Sequence, residues 1–128
     1  MKGYITNIEE ETLKNEDYRR VLYTAKNSQL VLMCIKPGDE IGEEIHHLDQ
    51  FIRFEAGSAR VILDDVAHDV AADFAIVIPA GTKHNVINTD KVDLKLYTVY
   101  SPPEHKDGII EHTKADEVEE HFDGVTTE

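Results

Sequence analysis

Residues 37–57, PGDEIGEEIHHLDQFIRFEAG, decide how the rest of the chain is read. Glu44, His46 and Gln50 fall at i, i+2 and i+6 between a proline–glycine turn and a closing glycine. On extended chain, successive side chains alternate faces, so these three point the same way. Three lone-pair donors on one sheet face are what a metal site needs and what a packed apolar face avoids. Ile52 and Phe54 share their parity and are expected to line the same pocket. Phe51, Arg53 and Glu55 belong to the opposite face, a candidate dimer surface.

Working outward, short β-type runs lie on both sides. YRRVLYTA and QLVLMCIK flank the turn at Asn27-Ser28, and Pro37-Gly38 stops the second run because proline cannot continue a ladder. One strand is expected to carry Glu44 and His46, and QFIRFEA forms the next, with Leu48-Asp49 between them. ARVILDD and VAHDVAA meet near Asp64-Asp65 as a hairpin, and DFAIVI ends at Pro79-Ala80-Gly81. HNVIN and VDLKLYTVY complete about eight strands, with turn signals every eight to twelve residues and no amphipathic helix between them. That spacing argues an all-β sandwich or barrel rather than βαβ units.

The 128 residues fit one domain: a core barrel of about 18–102, an N-terminal arm 1–17 and a C-terminal tail 103–128. The arm is polar and acidic, expected to form a strand or short helical turn on the barrel exterior. In the tail, Thr113 and Asp116 resemble a capping box, so KADEVEEHF is expected to form a short helix, and the last five residues to fray. The composition is 41% hydrophobic and 30% charged, ordinary for a globular domain. The net charge is −13, which repels nucleic acid and anionic membranes. No apolar run approaches the roughly 18 residues of a membrane span, and the N-terminus has no apolar leader-like segment. One cysteine, Cys34, sits inside LVLMCI as a buried strand residue and excludes an intrachain disulfide. A cytoplasmic protein with a small-molecule substrate, and a second copy of itself as partner, fits these features.

Two separated patterns resemble the cupins. The first cupin motif is a glycine, five residues, His-x-His, three or four residues, glutamate, six residues and glycine. Here Gly38, Glu44, His46, Gln50 and Gly57 keep the spacing, with glutamate for the first histidine and glutamine for the glutamate. The second motif is matched at Pro79, Gly81, His84 and Asn88, with Asp73 where its leading glycine would stand. The resemblance implies a double-stranded β-helix, an all-β jelly-roll barrel with its pocket inside, carrying here a short C-terminal helix. It also implies one divalent transition metal, Fe, Mn, Ni or Zn, on Glu44, His46, Gln50 and His84. Three histidines with one glutamate carry a single negative charge, and so does this set. The two substitutions therefore look compensatory. A dimer is implied by the same resemblance.

Single-domain cupins include isomerases, epimerases, lyases and dioxygenases, so the resemblance implies a metal-dependent small-molecule enzyme. Isomerase-like Lewis-acid chemistry on a sugar, sugar phosphate or hydroxy/keto acid is the leading expectation. An Fe(II) dioxygenase and a non-catalytic small-molecule-binding barrel are the alternatives, since fold alone does not choose. No catalytic base stands out among His105, His112 and the tyrosines, and His105 and His112 are expected to be exposed. His47 and His68 are expected at the surface, Lys83 at the rim. Tyr97 and Tyr100 lie on opposite faces of the last strand, so only one can point inward.

Overall fold

Two antiparallel sheets form because their strands alternate apolar and polar residues over short runs closed by turns. The computed structural model describes residues 2–128. After helix α1 (Ile8–Lys14) come β1 (Arg19–Thr24), β2 (Gln29–Ile35), β3 (Asp49–Ala56), β4 (Ser58–Leu63) and β5 (Val66–Ala71). β6 (Ala75–Ile78), β7 (His84–Asn88), β8 (Leu94–Ser101) and β9 (Ile110–Glu111) complete the set. The larger sheet runs β6-β3-β8-β2-β1-β9 and the smaller β5-β4-β7. This is the jelly-roll architecture the spacing and motifs imply.

The parity of β3 is as expected. Gln50, Ile52 and Phe54 are buried inward at 4%, 1% and 0% exposure, against half-exposed Phe51 and Arg53. β8 alternates likewise, burying Leu94, Leu96, Thr98 and Tyr100. Tyr100 is thus the inward tyrosine and Tyr97 the outward one. Across the gap, Ala59, Val61 and Val86 of the smaller sheet meet this face and close the core. β2 is buried on both faces: Val31, Met33 and Ile35 join the core, while Leu32 and Cys34 face outward under the N-terminal arm. The arm is held there by the Cys34 N–H on the Asp17 carbonyl and by Lys95 Nζ on the Leu13 carbonyl.

Turn chemistry explains two family positions. The Asp64-Asp65 hairpin has both central residues at positive φ, 46° and 68°, the type I′ geometry that matches strand twist. Asp73, standing for the second motif's glycine, keeps a left-handed φ of 74°, a conformation aspartate tolerates better than most residues. Gly57 has φ 92°, and a Cβ there would meet the Asp93 carbonyl oxygen at 3.0 Å. Glycine is required at that position for both reasons.

Three expectations need correction. Glu44 and His46 lie on an extended segment that pairs with the barrel through isolated bridges, Glu40↔Ile87 and Glu44↔His84, and scattered backbone bonds, not on a full strand. Gly42, at φ 109°, interrupts the ladder between those bridges. In the tail, the Thr113 and Asp116 pairing is present, with Thr113 N–H and Oγ1 both on Asp116 Oδ2. The short C-terminal helix is present as a single 3-10 turn, Lys114–Asp116, so only its expected extension through Phe122 is corrected. The extreme C-terminus is tied down: the Thr127 N–H bonds the Thr24 carbonyl at 2.9 Å, and Thr24 N–H returns a bond to Thr127 Oγ1 at 2.8 Å. Among the described residues no helix is long and apolar enough to cross a membrane.

Candidate metal centre

The two motif segments, about 40 residues apart, are stitched together by backbone hydrogen bonds. Glu44 and His84 exchange N–H···O bonds of 2.9 Å each, and the Gly81 N–H bonds the His46 carbonyl at 2.8 Å. These bonds bring Glu44, His46 and His84 to the end of the barrel where β3 begins and β8 ends. Gln50 enters from the start of β3, opposite Tyr100 in register.

Glu44 Oε2 lies 2.7 Å from His46 Nε2, and the His46 and His84 rings stand edge to face with centroids 5.0 Å apart. Burial opposes charge on Glu44, but the hydrogen bond and charge of His46 outweigh it and hold the carboxyl below its ordinary range. Burial likewise opposes the imidazolium of His46, and Glu44 overrides it, so His46 titrates above an ordinary histidine. Asn88, the last residue of the second motif, is structural: its Nδ2 donates to the Ile35 and Val92 carbonyls at 2.9 Å each.

The donor set can be tested for its fit to a metal. Among the described residues no three histidine, cysteine, aspartate or glutamate side chains converge as a ready-made cage. The fourth expected donor, however, is an amide, and its orientation is fixed. Thr98 Oγ1 donates to the Phe51 carbonyl at 2.8 Å and so accepts from Gln50 Nε2 at 3.0 Å. Gln50 Oε1 is thereby turned the other way, toward His46, buried and, among the described residues, without a regular hydrogen bond. His84 Nδ1 bonds the Thr82 carbonyl at 2.9 Å, which leaves Nε2 with its lone pair free, the arrangement by which a ligating imidazole is oriented. The 2.7 Å between Glu44 and His46 donors is close to the roughly 3 Å separating two donors at right angles, each about 2.1 Å from one ion. By donor chemistry, two imidazoles, one carboxylate and one amide oxygen suit a divalent ion, although among the described residues the side chains are not gathered into a cage.

Beside this set sits His105, which corrects the expectation that it is exposed. It is half-buried, its ring edge-on to Tyr100 at 5.1 Å, and its Nε2 lies 3.3 Å from the Tyr100 hydroxyl. Tyr100 in turn packs edge-on against His46 at 5.9 Å. Burial, aided by the charge of Arg19, pushes His105 down to about 3, so it is neutral at pH 7. Burial raises the Tyr100 phenol well above its ordinary value.

His105 is placed by Gln29, a residue that pattern reading passes over. The buried Gln29 amide accepts the His105 N–H at 3.0 Å and donates to the His105 carbonyl at 2.7 Å, as a strand neighbour would. Arg19, 4% exposed, anchors the tail a second time through Glu111 at 2.5 Å and Glu117 at 3.1 Å. His112, His47 and His68 are at the surface as expected, and Lys83 pairs with Asp65 at 2.8 Å. Ile52 and Phe54 are core residues on the same inner face as Gln50.

A cavity of about 240 Å³ opens beside Glu44, between Arg19 and His105 on one side and the tail residues 117–121 on the other, while His46 lines a separate hollow of about 420 Å³ with Pro102, Glu104 and Phe122. A larger hollow of about 510 Å³ lies along α1, but it is lined by one helix face and its approach and has no converging buried donors.

Residues 31–100 match the cupin domain family. The chain belongs to the cupins. A relative from Bacillus subtilis, the uncharacterized protein YrkC, is 44% identical over 124 residues, covering 91% of this chain and 67% of its own. The uncharacterized protein L612 of Acanthamoeba polyphaga mimivirus is 49% identical over 113 residues, covering 84% of this chain and 71% of its own. Among solved structures, BH2720 from Bacillus halodurans superposes with a TM-score of 0.88 at 45% identity, over 90% of this cupin and 92% of that chain.

Proposed function

We propose that this cupin is a metal-dependent small-molecule enzyme, with one divalent Fe, Mn, Ni or Zn held by Glu44, His46, Gln50 and His84. The observation that carries the reading is the buried Gln50 Oε1, left without a regular hydrogen bond and turned by Thr98 toward His46. A buried acceptor left without a donor costs on the order of 1–3 kcal/mol, and a cation removes that cost. When bound, the ion supplies a Lewis acid that polarises a carbonyl or hydroxyl oxygen of a sugar, sugar phosphate or hydroxy/keto acid.

The chain's own residues then do the following. Glu44 supplies the single negative charge, and His46 and His84 supply nitrogen donors. Ile52 and Phe54 form an apolar floor that excludes water. Tyr100 keeps its proton and donates from its hydroxyl.

A second reading, an Fe(II) dioxygenase or a binding barrel without turnover, is favoured by the suppressed basicity of His105. An isomerase needs a group that moves protons, and a histidine held near 3 is a weak base at neutral pH. We also propose a homodimer through the outer sheet face that presents Phe51 and Arg53, which light scattering would detect.

Metal analysis of protein purified without chelator is expected to find close to one ion per chain, and His46→Ala to remove it. Absence of metal both on purification and after incubation with Mn²⁺, Ni²⁺, Zn²⁺ and anaerobic Fe²⁺ would sink the reading. Oxygen uptake with keto acids, set against isomerisation of hydroxy-aldehydes, separates the two chemistries.

A further inference from the structure

The cavity beside Glu44 has a strongly one-sided lining. Glu43, Glu44, Glu104, Glu117, Glu119 and Glu120 face it, against a single guanidinium, Arg19. Arg19 is already bonded to Glu111 and Glu117. Of the nearby lysines, Lys114 is turned to Asp39, and Lys83 lies 2.8 Å from Asp65 and 4.0 Å from Glu43, partly offsetting that one acid.

Among the described residues, buried polar atoms without partners lie in and around this lining, Arg19 itself facing the cavity. Tyr18 is 3% exposed, and its hydroxyl has no hydrogen-bond partner although it stands in the field of Glu44, Glu111 and Glu117. Arg19 Nε is a second unpartnered donor and Gln50 Oε1 an acceptor without a regular hydrogen bond, on residues only 4% exposed each. Hydroxyl groups both donate and accept, whereas carboxylate and phosphate oxygens at pH 7 mainly accept.

We propose that this pocket takes an uncharged, oxygen-rich small molecule, a free sugar or hydroxy-ketone, and that the mouth carboxylates reject its phosphorylated and carboxylated analogues. At ~30 Å³ per water-sized group, the cavity of about 240 Å³ admits a ligand of roughly six to ten non-hydrogen atoms. The proposal narrows the substrate class given above. It rests on the metal reading for chelation of the ligand, but its electrostatic part does not.

That part is tested without metal. Val118, 48% exposed on the cavity wall, is replaced by cysteine, while the native Cys34 is 2% exposed and shielded from reagents. Labelling rates are taken with dianionic 5,5′-dithiobis(2-nitrobenzoate) and neutral 4,4′-dithiodipyridine, whose ratio cancels the thiolate fraction. In Glu43→Gln/Glu119→Gln/Glu120→Gln the ratio is expected to rise by about tenfold or more at low salt, because three carboxylates near the thiol no longer repel the dianion. An equal loss of charge at Glu9, Glu10 and Glu16, exposed on and just after α1, leaves it unchanged. Equal ratios in the two triple variants overturn the proposal.

The ligand class is tested on Mn²⁺-loaded protein by water-proton relaxation. Dihydroxyacetone is expected to displace bound water at concentrations at least tenfold below those of dihydroxyacetone phosphate, and the mouth variant to narrow that gap. Preference for the phosphate overturns the proposal. Failure of Mn²⁺ to bind removes the metal reading instead, and the thiol ratio still decides the charge of the mouth.

Discussion

Thr98→Val isolates the device that aims Gln50. Thr98 is fully buried, and its hydroxyl serves two bonds, donating to the Phe51 carbonyl and accepting from Gln50 Nε2. Valine has the same shape without the oxygen, so packing is kept and both bonds are lost. The Gln50 amide nitrogen, 4% exposed with its residue, is then a buried donor without an acceptor. Such a loss costs about 1–3 kcal/mol. For a domain of this size, each kcal/mol lowers Tm by about 4 °C, so a fall of roughly 4–12 °C is expected in metal-free protein. Loss of an orienting partner also lowers metal affinity by ~10–100-fold, because the amide can now turn its nitrogen toward the ion. Calorimetric titration with Ni²⁺ or Mn²⁺ measures that loss directly. Thr98→Ser is the control: it keeps the hydroxyl, gives up a methyl worth about 1 kcal/mol, and is expected to hold metal as the parent does. If Thr98→Val lowers Tm as expected but binds metal as tightly as Thr98→Ser, Gln50 is a structural amide and the four-donor site is refuted.

Other expectations follow from residues around the site. His105 is held at about 3 against an ordinary 6.5, so the unfolded chain binds the extra proton between those values. This contribution to stability is therefore complete above about pH 6.5 and is lost as pH falls toward 3. Urea midpoints at pH 7 and 4.5 should differ less in His105→Phe than in the parent. Glu111→Gln leaves the buried Arg19 charge with only the half-exposed Glu117, and is expected to cost about 3 kcal/mol by urea denaturation. Gly57→Ala is expected to destabilise more than Gly38→Ala, because both have positive φ but only at Gly57 does a Cβ meet backbone, at 3.0 Å. Asp73→Val should cost about 1–2 kcal/mol and Asp73→Gly little, if the left-handed φ of 74° is what that position demands.

The barrel was legible because its signals are local. Strand parity in QFIRFEA alone places Gln50, Ile52 and Phe54 on one buried face, and proline–glycine or Asp-Asp turns mark where strands stop. The motif spacing added what parity lacked, the meeting of Glu44 and His46 with His84 across about 40 residues. It misled on one point. A face-sharing pattern at 44 and 46 suggests a strand, yet Gly42 and the two isolated bridges leave an extended arm whose backbone is pinned at separate points, residues 38–41, Glu44 and His46, rather than along a ladder. Face alternation survives in such an arm because extended φ/ψ, not ladder bonding, sets where side chains point.

The tail was not legible, and the reason is physical. Besides the β9–β1 pairing and Ile109 on the core, its ties to the barrel are polar pairs separated by 76 residues for Gln29 and His105, 92 for Arg19 and Glu111, and 103 for Thr24 and Thr127. None of them leaves a period in the sequence, since one buried glutamine or arginine has no repeating neighbour to announce it. A helix-like acidic run in KADEVEEHF is instead drawn out along the mouth, because Arg19 takes Glu117 and Glu111 takes the Val118 N–H. Two kinds of cohesion therefore meet at the candidate site. The barrel wall that carries Gln50 and His84 is held by apolar burial, which depends little on pH or salt. The cover that carries His105 and most of the mouth carboxylates has one apolar anchor, Ile109, and is otherwise held by ion pairs and hydrogen bonds, which depend on both. Acid or high salt should then loosen the cover while the barrel stays folded, and exchange of the His105 and Lys106 amides should quicken before that of Leu96 or Ile52.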